Sequence, residues 1–152
     1  MSTLNFRRAT LPDVPTIVHL LADDKLGAAR EDMSPPLNSG YAAAFAAIDR
    51  DPNQILVVAE DGGEVVGCLQ ITFIPGLSRI GAWRGQIESV RVASGRRNGG
   101  IGRDMTAFAI AECRRRGCKT VQLTTDKSRL DAHRFYARLG FVPSHVGMKL
   151  SL

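Results

Sequence analysis

A chain of 152 residues is the size of one domain, and folding at that size buries roughly 68–70% of the surface an unfolded chain exposes, enough for a core without staples. Hydrophobic residues at 44% and charged residues at 23% exclude intrinsic disorder, and the longest apolar run, Tyr41 to Ile48, is too short to cross a bilayer. The net charge of +5 is uneven: residues 1–83 carry −4 and residues 84–152 carry +9, which points to an anionic partner for the second half, with nucleic acid, a phosphorylated cofactor and plain solubility all open.

Met1 to Arg8 lacks the apolar stretch of a secretory signal. Cys68, Cys113 and Cys118 form no C-x-x-C pair, which argues against a disulfide framework or a thiolate zinc site and for a reducing, cytoplasmic setting. In chain order, Phe6–Ala9 reads as an opening strand. Thr10 and Asp13 then look like the start of a helix whose face is Val14, Ile17, Val18 and Leu21. Residues 25–39, with Gly27, Pro35 and Pro36, look irregular, and Ala-rich Tyr41–Asp49 reads as a second helix.

Gln54–Ala59 and Glu64–Thr72 are strand-like runs joined by Asp61-Gly62-Gly63, the chemistry of a tight hairpin. After a loop with Pro75 and Gly76, Trp83–Val92 reads as a third long strand. Ile101, Met105, Phe108, Ala109 and Cys113 mark one face of a helix reaching Arg116, with Gly117 as its cap. Thr120–Thr124 alternates like a strand. Ala132, Phe135, Tyr136 and Leu139 share a helical face, with Ser128 and Asp131 as a capping pair, and Phe141–Leu152 offers one or two final strands. The order implies an α+β fold: a single mixed, mostly antiparallel sheet flanked by helices, with residues 1–152 as one domain.

The chemistry concentrates between Ile87 and Arg103, where a strand enters a turn rich in glycine and arginine and the turn opens a helix. Glycines let backbone approach a ligand, and the unpaired N–H groups of a helix start bind anions. A P-loop would need Lys and Ser or Thr after Gly100, where Ile101 and Gly102 stand. A dinucleotide fingerprint would need a third glycine where Met105 stands. What fits is R-x-x-G-x-G, as Arg97-Asn98-Gly99-Gly100-Ile101-Gly102.

That motif resembles the acyl-CoA signature of the GNAT superfamily of N-acyltransferases. Arg7-Arg8-Ala9-Thr10 with Asp13 is similar to the family's opening strand and helix, and Phe135-Tyr136-Ala137-Arg138-Leu139-Gly140-Phe141 to its late F-Y-x-x-L-G-F motif, so the match spans essentially the whole chain. The resemblance implies a splayed strand pair, residues 85–92 and 120–124, with pantetheine entering where the strands part. It assigns cofactor binding to Val90, Arg91 and Val92 on the strand, to Arg97, Asn98, Gly99, Gly100, Ile101, Gly102 and Arg103 in the pyrophosphate loop, and to Ser128. It departs from the family at Ser94, where proline is common, and at Arg129, where many members have asparagine, so Arg129 faces either a phosphate or solvent.

Moving an acyl group from a thioester to an amine requires deprotonation of the amine, stabilisation of an oxyanion and protonation of the thiolate. By resemblance Tyr136 is the acid, Glu88 the base acting through a water, and the Val90 N–H the oxyanion donor. Core packing of Tyr136, and pairing of Glu88 with Arg84 or Arg91, are the alternatives. His133 lies off the Ala132/Tyr136 stripe and reads as a surface residue; His19 and His145 have no carboxylate close in sequence, and no metal-ligand spacing is present. Cys113 reads as core, Cys118 lacks a histidine to activate it, and Arg114–Arg116 reads as a solvated helix end.

The expected activity is transfer of the acetyl group of acetyl-CoA to a primary amine of a small molecule, with no metal. The alternatives are a protein N-terminus or lysine as acceptor, or a non-catalytic acyl-CoA-binding module. Residues 25–40 and 74–84 would shape the acceptor site, and their mixed charges do not name it. No membrane partner is expected, nucleic acid is the minor reading, and the resemblance allows a homodimer that no sequence feature settles.

Overall fold

The computed structural model describes residues 4–152, so Met1–Thr3 of the opening stretch lie outside the described residues. Five strands form one sheet in the order β1 (Leu4–Arg8), β2 (Gln54–Asp61), β3 (Glu64–Ile74), β4 (Arg84–Val92) and β5 (Thr120–Leu123). The first three pairings are antiparallel and β4–β5 is parallel. A parallel pair needs a long crossover, supplied here by α5 (Ile101–Arg115). The β2–β3 hairpin closes on Gly62 and Gly63, both at positive φ, as a two-residue turn with the hand of the sheet requires.

The sequence periodicity decides which face each helix covers. Ile55, Val57 and Ala59 of β2 point to one side, with Leu69, Ile71, Phe73 and Ile87, and meet Met105, Ala109 and Cys113 of α5. Val58 and Cys68 point to the other and meet Ile17 and Leu20 of α1 (Val14–Ala22). Bare backbone makes the α5 contact possible: a Cβ on Gly67 would stand 2.7 Å from Met105 Sδ, and one on Gly85 would collide with Cys113 Sγ. Arg114, Arg115 and Arg116 are exposed at the end of α5, as expected, and Arg116 also lays its guanidinium 4.3 Å over the Phe73 ring at the edge of the core.

Two bulges re-aim the strands. One falls between Ala59 and Glu60 opposite Val66, the other sets Ser89 and Val90 of β4 against Leu69, with Ser89 at φ 55. β4 and β5 pair only from Arg84↔Thr120 to Ile87↔Leu123, so Glu88–Val92 run on with no strand on that edge. This is the expected splay.

Other expectations need correcting. Residues 25–39 are not wholly irregular: Asp24 caps the short α2 (Lys25–Ala28) by accepting from the Gly27 N–H, and α3 (Ser39–Arg50) follows. A tight turn, α4 (Ser78–Gly81), precedes β4, with Arg79 and Ile80 left-handed. Ser128 and Asp131 do not cap α6 (Leu130–Arg138); Ser128 turns back to Asp126, whose carboxylate accepts from its N–H at 2.9 Å and its hydroxyl at 2.7 Å. Residues 142–152 form no strand.

The start of the chain is tied by Asp13, which accepts from Arg7 at 2.7 and 3.0 Å and from the Thr10 N–H at 2.7 Å and hydroxyl at 2.9 Å. The Arg7 guanidinium holds this carboxyl well below the usual carboxylate range. A depressed native pKa stabilises the fold above the unfolded value and is lost as pH falls below it. Asp13→Asn is therefore expected to lower stability at neutral pH and to flatten its decline below about pH 4 in urea titrations at several pH values. Gly85→Ala should cost about 1–3 kcal/mol by overpacking, partly recovered by adding Cys113→Ala; an unchanged urea midpoint would contradict the tight β4–α5 contact.

Candidate functional site

A strand that outruns its neighbour exposes backbone groups that need partners. Here two arginines supply them. Arg91 Nη1 donates to the Val90 carbonyl at 2.9 Å, and Arg97 Nε donates to the Val92 carbonyl at 3.1 Å. Each carbonyl keeps a second lone pair for an extended, amide-bearing ligand. Beside this edge lies a cavity of about 620 Å3 lined by Val90, Arg91, Val92, Arg97, Ser128 and Arg129, among others.

Thus five of the expected cofactor residues (Val90, Arg91, Val92, Arg97 and Ser128) line one cavity. Asn98, Gly99, Gly100, Ile101, Gly102 and Arg103 form the turn and first helical residues next to it. Asn98 and Gly100 have positive φ, at 67° and 85°, and Gly100 is the residue before α5. Gly102 is held against α6, its missing Cβ facing Phe135 at 3.5 Å. The helix start leaves N–H groups directed outward, the geometry an anion requires.

The arginines are less free than their number suggests. Arg97 Nη2 donates to the carbonyl and carboxylate of Asp23, which also accepts from the Ser94 N–H at 2.9 Å. Arg96 pairs with Asp61, and Arg103 with Asp104 at 2.9 Å. Asp24, the next residue, is 2.7 Å from Arg129 and 3.6 Å from Arg91. Burial works to raise the Asp24 pKa, but the Gly27 N–H, Arg91 and Arg129 outweigh it and hold the carboxyl ionised below its usual range. The acids at the end of α1 therefore fasten the basic half in place, a use of the acidic half that the sequence reading did not assign. Arg129, left between phosphate and solvent by the sequence, instead joins Asp24 at the cavity wall.

Arg91 makes no hydrogen bond through its buried Nε, which sits 3.6 Å from the Asp24 carboxylate. It also bears on Tyr136, which packs edge-on between Phe135 at 5.0 Å and Phe141 at 5.7 Å between ring centroids. Burial pushes the Tyr136 phenol above its ordinary value, while Arg91 and Arg129 pull it back. Tyr136 is thus a phenol that stays protonated at neutral pH beside two guanidiniums that favour transient loss of its proton.

Glu88 lies on β4 immediately before the bulge, exposed, and among the described residues it pairs with neither Arg84 nor Arg91. The other candidates recede. His133 Nε2 is 2.9 Å from the Asp126 carbonyl and His19 Nδ1 2.7 Å from that of Pro15. Burial pushes the Cys68 and Cys113 thiols up to about 12, too high for nucleophiles at neutral pH. No cluster that would hold a metal ion occurs among the described residues, and no helix is long and apolar enough to cross a membrane. The pairing of Asp24 with Arg91 and Arg129 was not readable from the sequence, because those partners lie 67 and 105 positions away; the local signal was the Asp-Asp pair at a helix end.

Residues 16–141 match the model of a family described as Acetyltransferase (GNAT) family. An aminoalkylphosphonate N-acetyltransferase of Salmonella typhimurium is 36% identical over 105 residues, covering 69% of this chain and 68% of that protein. Among solved structures, one described as a transcriptional regulator from Bacillus halodurans superposes with a TM-score of 0.96 at 47% identity, covering 99% of this chain and 100% of the other. A putative acetyltransferase from Agrobacterium tumefaciens superposes at 0.85 with 26% identity, covering 97% and 99%.

Gly100→Asp forces a β-carbon onto positive φ and sets a carboxylate at the helix start. It should weaken coenzyme A binding by at least tenfold in calorimetry, with far-UV circular dichroism unchanged. Undiminished affinity would remove the loop from the site.

Proposed function

The chain belongs to the GNAT acetyltransferase family and is an acetyl-CoA-dependent N-acetyltransferase, and from that premise we propose that it acetylates the primary amine of a small molecule by direct transfer, with Tyr136 as acid and Glu88 as base. The observation that carries this reading is the half-buried Tyr136 phenol, whose proton is drawn on by Arg91 and Arg129, two arginines that line the cavity beside the unpaired end of β4.

Acetyl-CoA supplies the thioester. The chain's residues fit it chemically: Val90 and Val92 offer strand-edge groups to the pantetheine amides, and the Arg97–Arg103 amides, with Ser128 across the cavity, suit the phosphates. Glu88, exposed and unpaired, takes a proton from the ammonium through a water and passes it to solvent. The amine nitrogen then bonds to the carbonyl carbon, whose oxygen charge the Val90 N–H stabilises. As the carbon–sulfur bond breaks, Tyr136 gives its proton to the sulfur and regains one from the acylated nitrogen. The products are the N-acetyl amine and the free thiol, with one proton released.

The acceptor reading rests on charge. Arg91 and Arg129 share the single carboxylate of Asp24, leaving one positive charge in excess. Such a pair suits an amine whose far end is anionic, and the Salmonella relative is named for aminoalkylphosphonates. The acceptor class is thus a small aminoalkylphosphonate-like or amino-acid-like amine.

Thiol release from acetyl-CoA across a panel of amines tests both parts. Tyr136→Phe should lower kcat by about 10²–10⁴ while acetyl-CoA binding persists. The alkaline limb belonging to Tyr136 should lie above pH 10, because burial raises this phenol from its ordinary value. Arg129→Asn should raise KM for an aminoalkylphosphonate and leave KM for an uncharged alkylamine and for acetyl-CoA unchanged. No turnover with any amine despite acetyl-CoA binding would favour the binding module. Turnover confined to peptides would favour a protein acceptor.

A further inference from the structure

One face of the sheet changes character halfway along. Where α1 covers it, Val58 and Cys68 lie fully buried with Ile17 and Leu20. Toward the β3–β4 connection the same face carries Gln54 of β2, Gln70 and Thr72 of β3, Gln86 and Glu88 of β4, and Gln122 of β5. An open face of a sheet is ordinarily polar and solvated. This one is half-buried at Gln54, Gln70, Thr72 and Gln86, and its side chains are tied to one another.

Gln54 Oε1 accepts from Gln70 Nε2 at 3.0 Å and from the Thr72 hydroxyl at 2.8 Å, and Gln122 Nε2 donates to Gln86 Oε1 at 2.7 Å. Fixing a glutamine rotamer sacrifices side-chain entropy, and each carboxamide can make more bonds than these. Among the described residues, the Gln70 Oε1 acceptor and the Gln86 Nε2 donor have no protein partner. Gln70 lies directly across from Glu88, with Cβ atoms about 5 Å apart, and Gln86 precedes Glu88 by two residues, about 7 Å along the strand. Gln70 and Gln86 are themselves diagonal neighbours, a separation that long side chains bridge. One free acceptor and one free donor thus flank the carboxylate assigned to the acceptor's proton.

Resting on the acceptor reading above, we propose that Gln70 and Gln86 are specificity-determining residues that together bind one hydroxyl group of the acceptor. The hydroxyl oxygen accepts from Gln86 Nε2, and its proton is donated to Gln70 Oε1. An amine one carbon further along the acceptor then lies beside Glu88, while an anionic end faces Arg91 and Arg129. The preferred acceptor is therefore a primary amine with a hydroxyl on the neighbouring carbon. A hydroxyl matches because it gives and takes at one atom. A methyl group would displace water from both amides and return no hydrogen bond, and a carboxylate would set a like charge against Glu88.

Two probes isolate this group: 2-aminoethylphosphonate with a hydroxyl on carbon 1, and the same compound with a methyl group there. With acetyl-CoA, the native chain should acetylate the hydroxylated probe with a kcat/KM about tenfold higher, and the ratio should fall to about one in Gln70→Leu and in Gln86→Leu. A merely structural role would lower kcat/KM for both probes alike and keep the ratio. Gln70→Met and Gln86→Met, which preserve side-chain length, serve if a leucine variant does not fold. With coenzyme A bound, the side-chain amide signals of Gln70 and Gln86, assigned from the variants, should shift on titration with the hydroxylated probe and not with the methyl one. Equal kcat/KM for the two probes in the native chain, or a ratio that survives both substitutions, would overturn the hydroxyl site and leave the acetyltransferase reading standing. Turnover of neither probe would instead sink the acceptor reading, and the amide signals then decide: shifts at both glutamines support the hydroxyl site, and their absence overturns it.

Discussion

Everything in the site follows from β4 losing its neighbour. Parallel pairing with β5 stops after four residues, at Ile87 and Leu123, and the bulge that begins at Ser89, two residues later, turns β4 away. A buried sheet cannot leave a row of peptide groups dry and unpaired, so the gap has to be filled by side chains, water or ligand. Arg91 and Arg97 reach back to the Val90 and Val92 carbonyls and keep the edge in a defined shape. What results is a strand edge held ready for an extended partner, next to a helix start whose first N–H groups have no partner within the helix.

Keeping so many arginines around one cavity needs counter-charge. Asp23 and Asp24 provide it from the end of α1, one fixing the loop through Arg97 and Ser94, the other drawing Arg91 of β4 and Arg129 before α6 to a single carboxylate. These pairs are partly exposed, and pairs of that kind contribute modestly to stability. Their larger effect is positional. They join α1, β4 and α6, three elements far apart in the chain, around Tyr136, and they set the charge that the phenol and any anionic acceptor would meet.

Much of this was legible in residue order. The apolar periods of 2 and 3.6 marked every strand that forms and the longer helices, because burial on one face imposes them. Gly62-Gly63, Gly100 and Gly117 marked turns because each sits at a positive φ that other residues avoid. The loop from Arg97 to Arg103 and Tyr136 were legible as motifs. Illegible were the contacts that join distant segments: Asp24 with Arg91 and Arg129, Arg116 on Phe73, Arg96 with Asp61. Local grammar also misled at Ser128, where Asp126 two residues earlier outcompeted Asp131 for the hydroxyl.

The terminal segment shows where that division lies. Phe141–Leu152 was expected to hold one or two strands and forms none, because a strand exists only when a partner supplies hydrogen bonds, and among the described residues none pairs with it. The sequence by itself determined which segments favour helix or strand, which faces are apolar, and which loop suits an anion, since these depend on neighbours a few residues away. Only the tertiary structure decided where β4 parts from β5, which acids neutralise which arginines, and how far burial raises Tyr136. Those quantities depend on distances between residues that the chain alone leaves far apart.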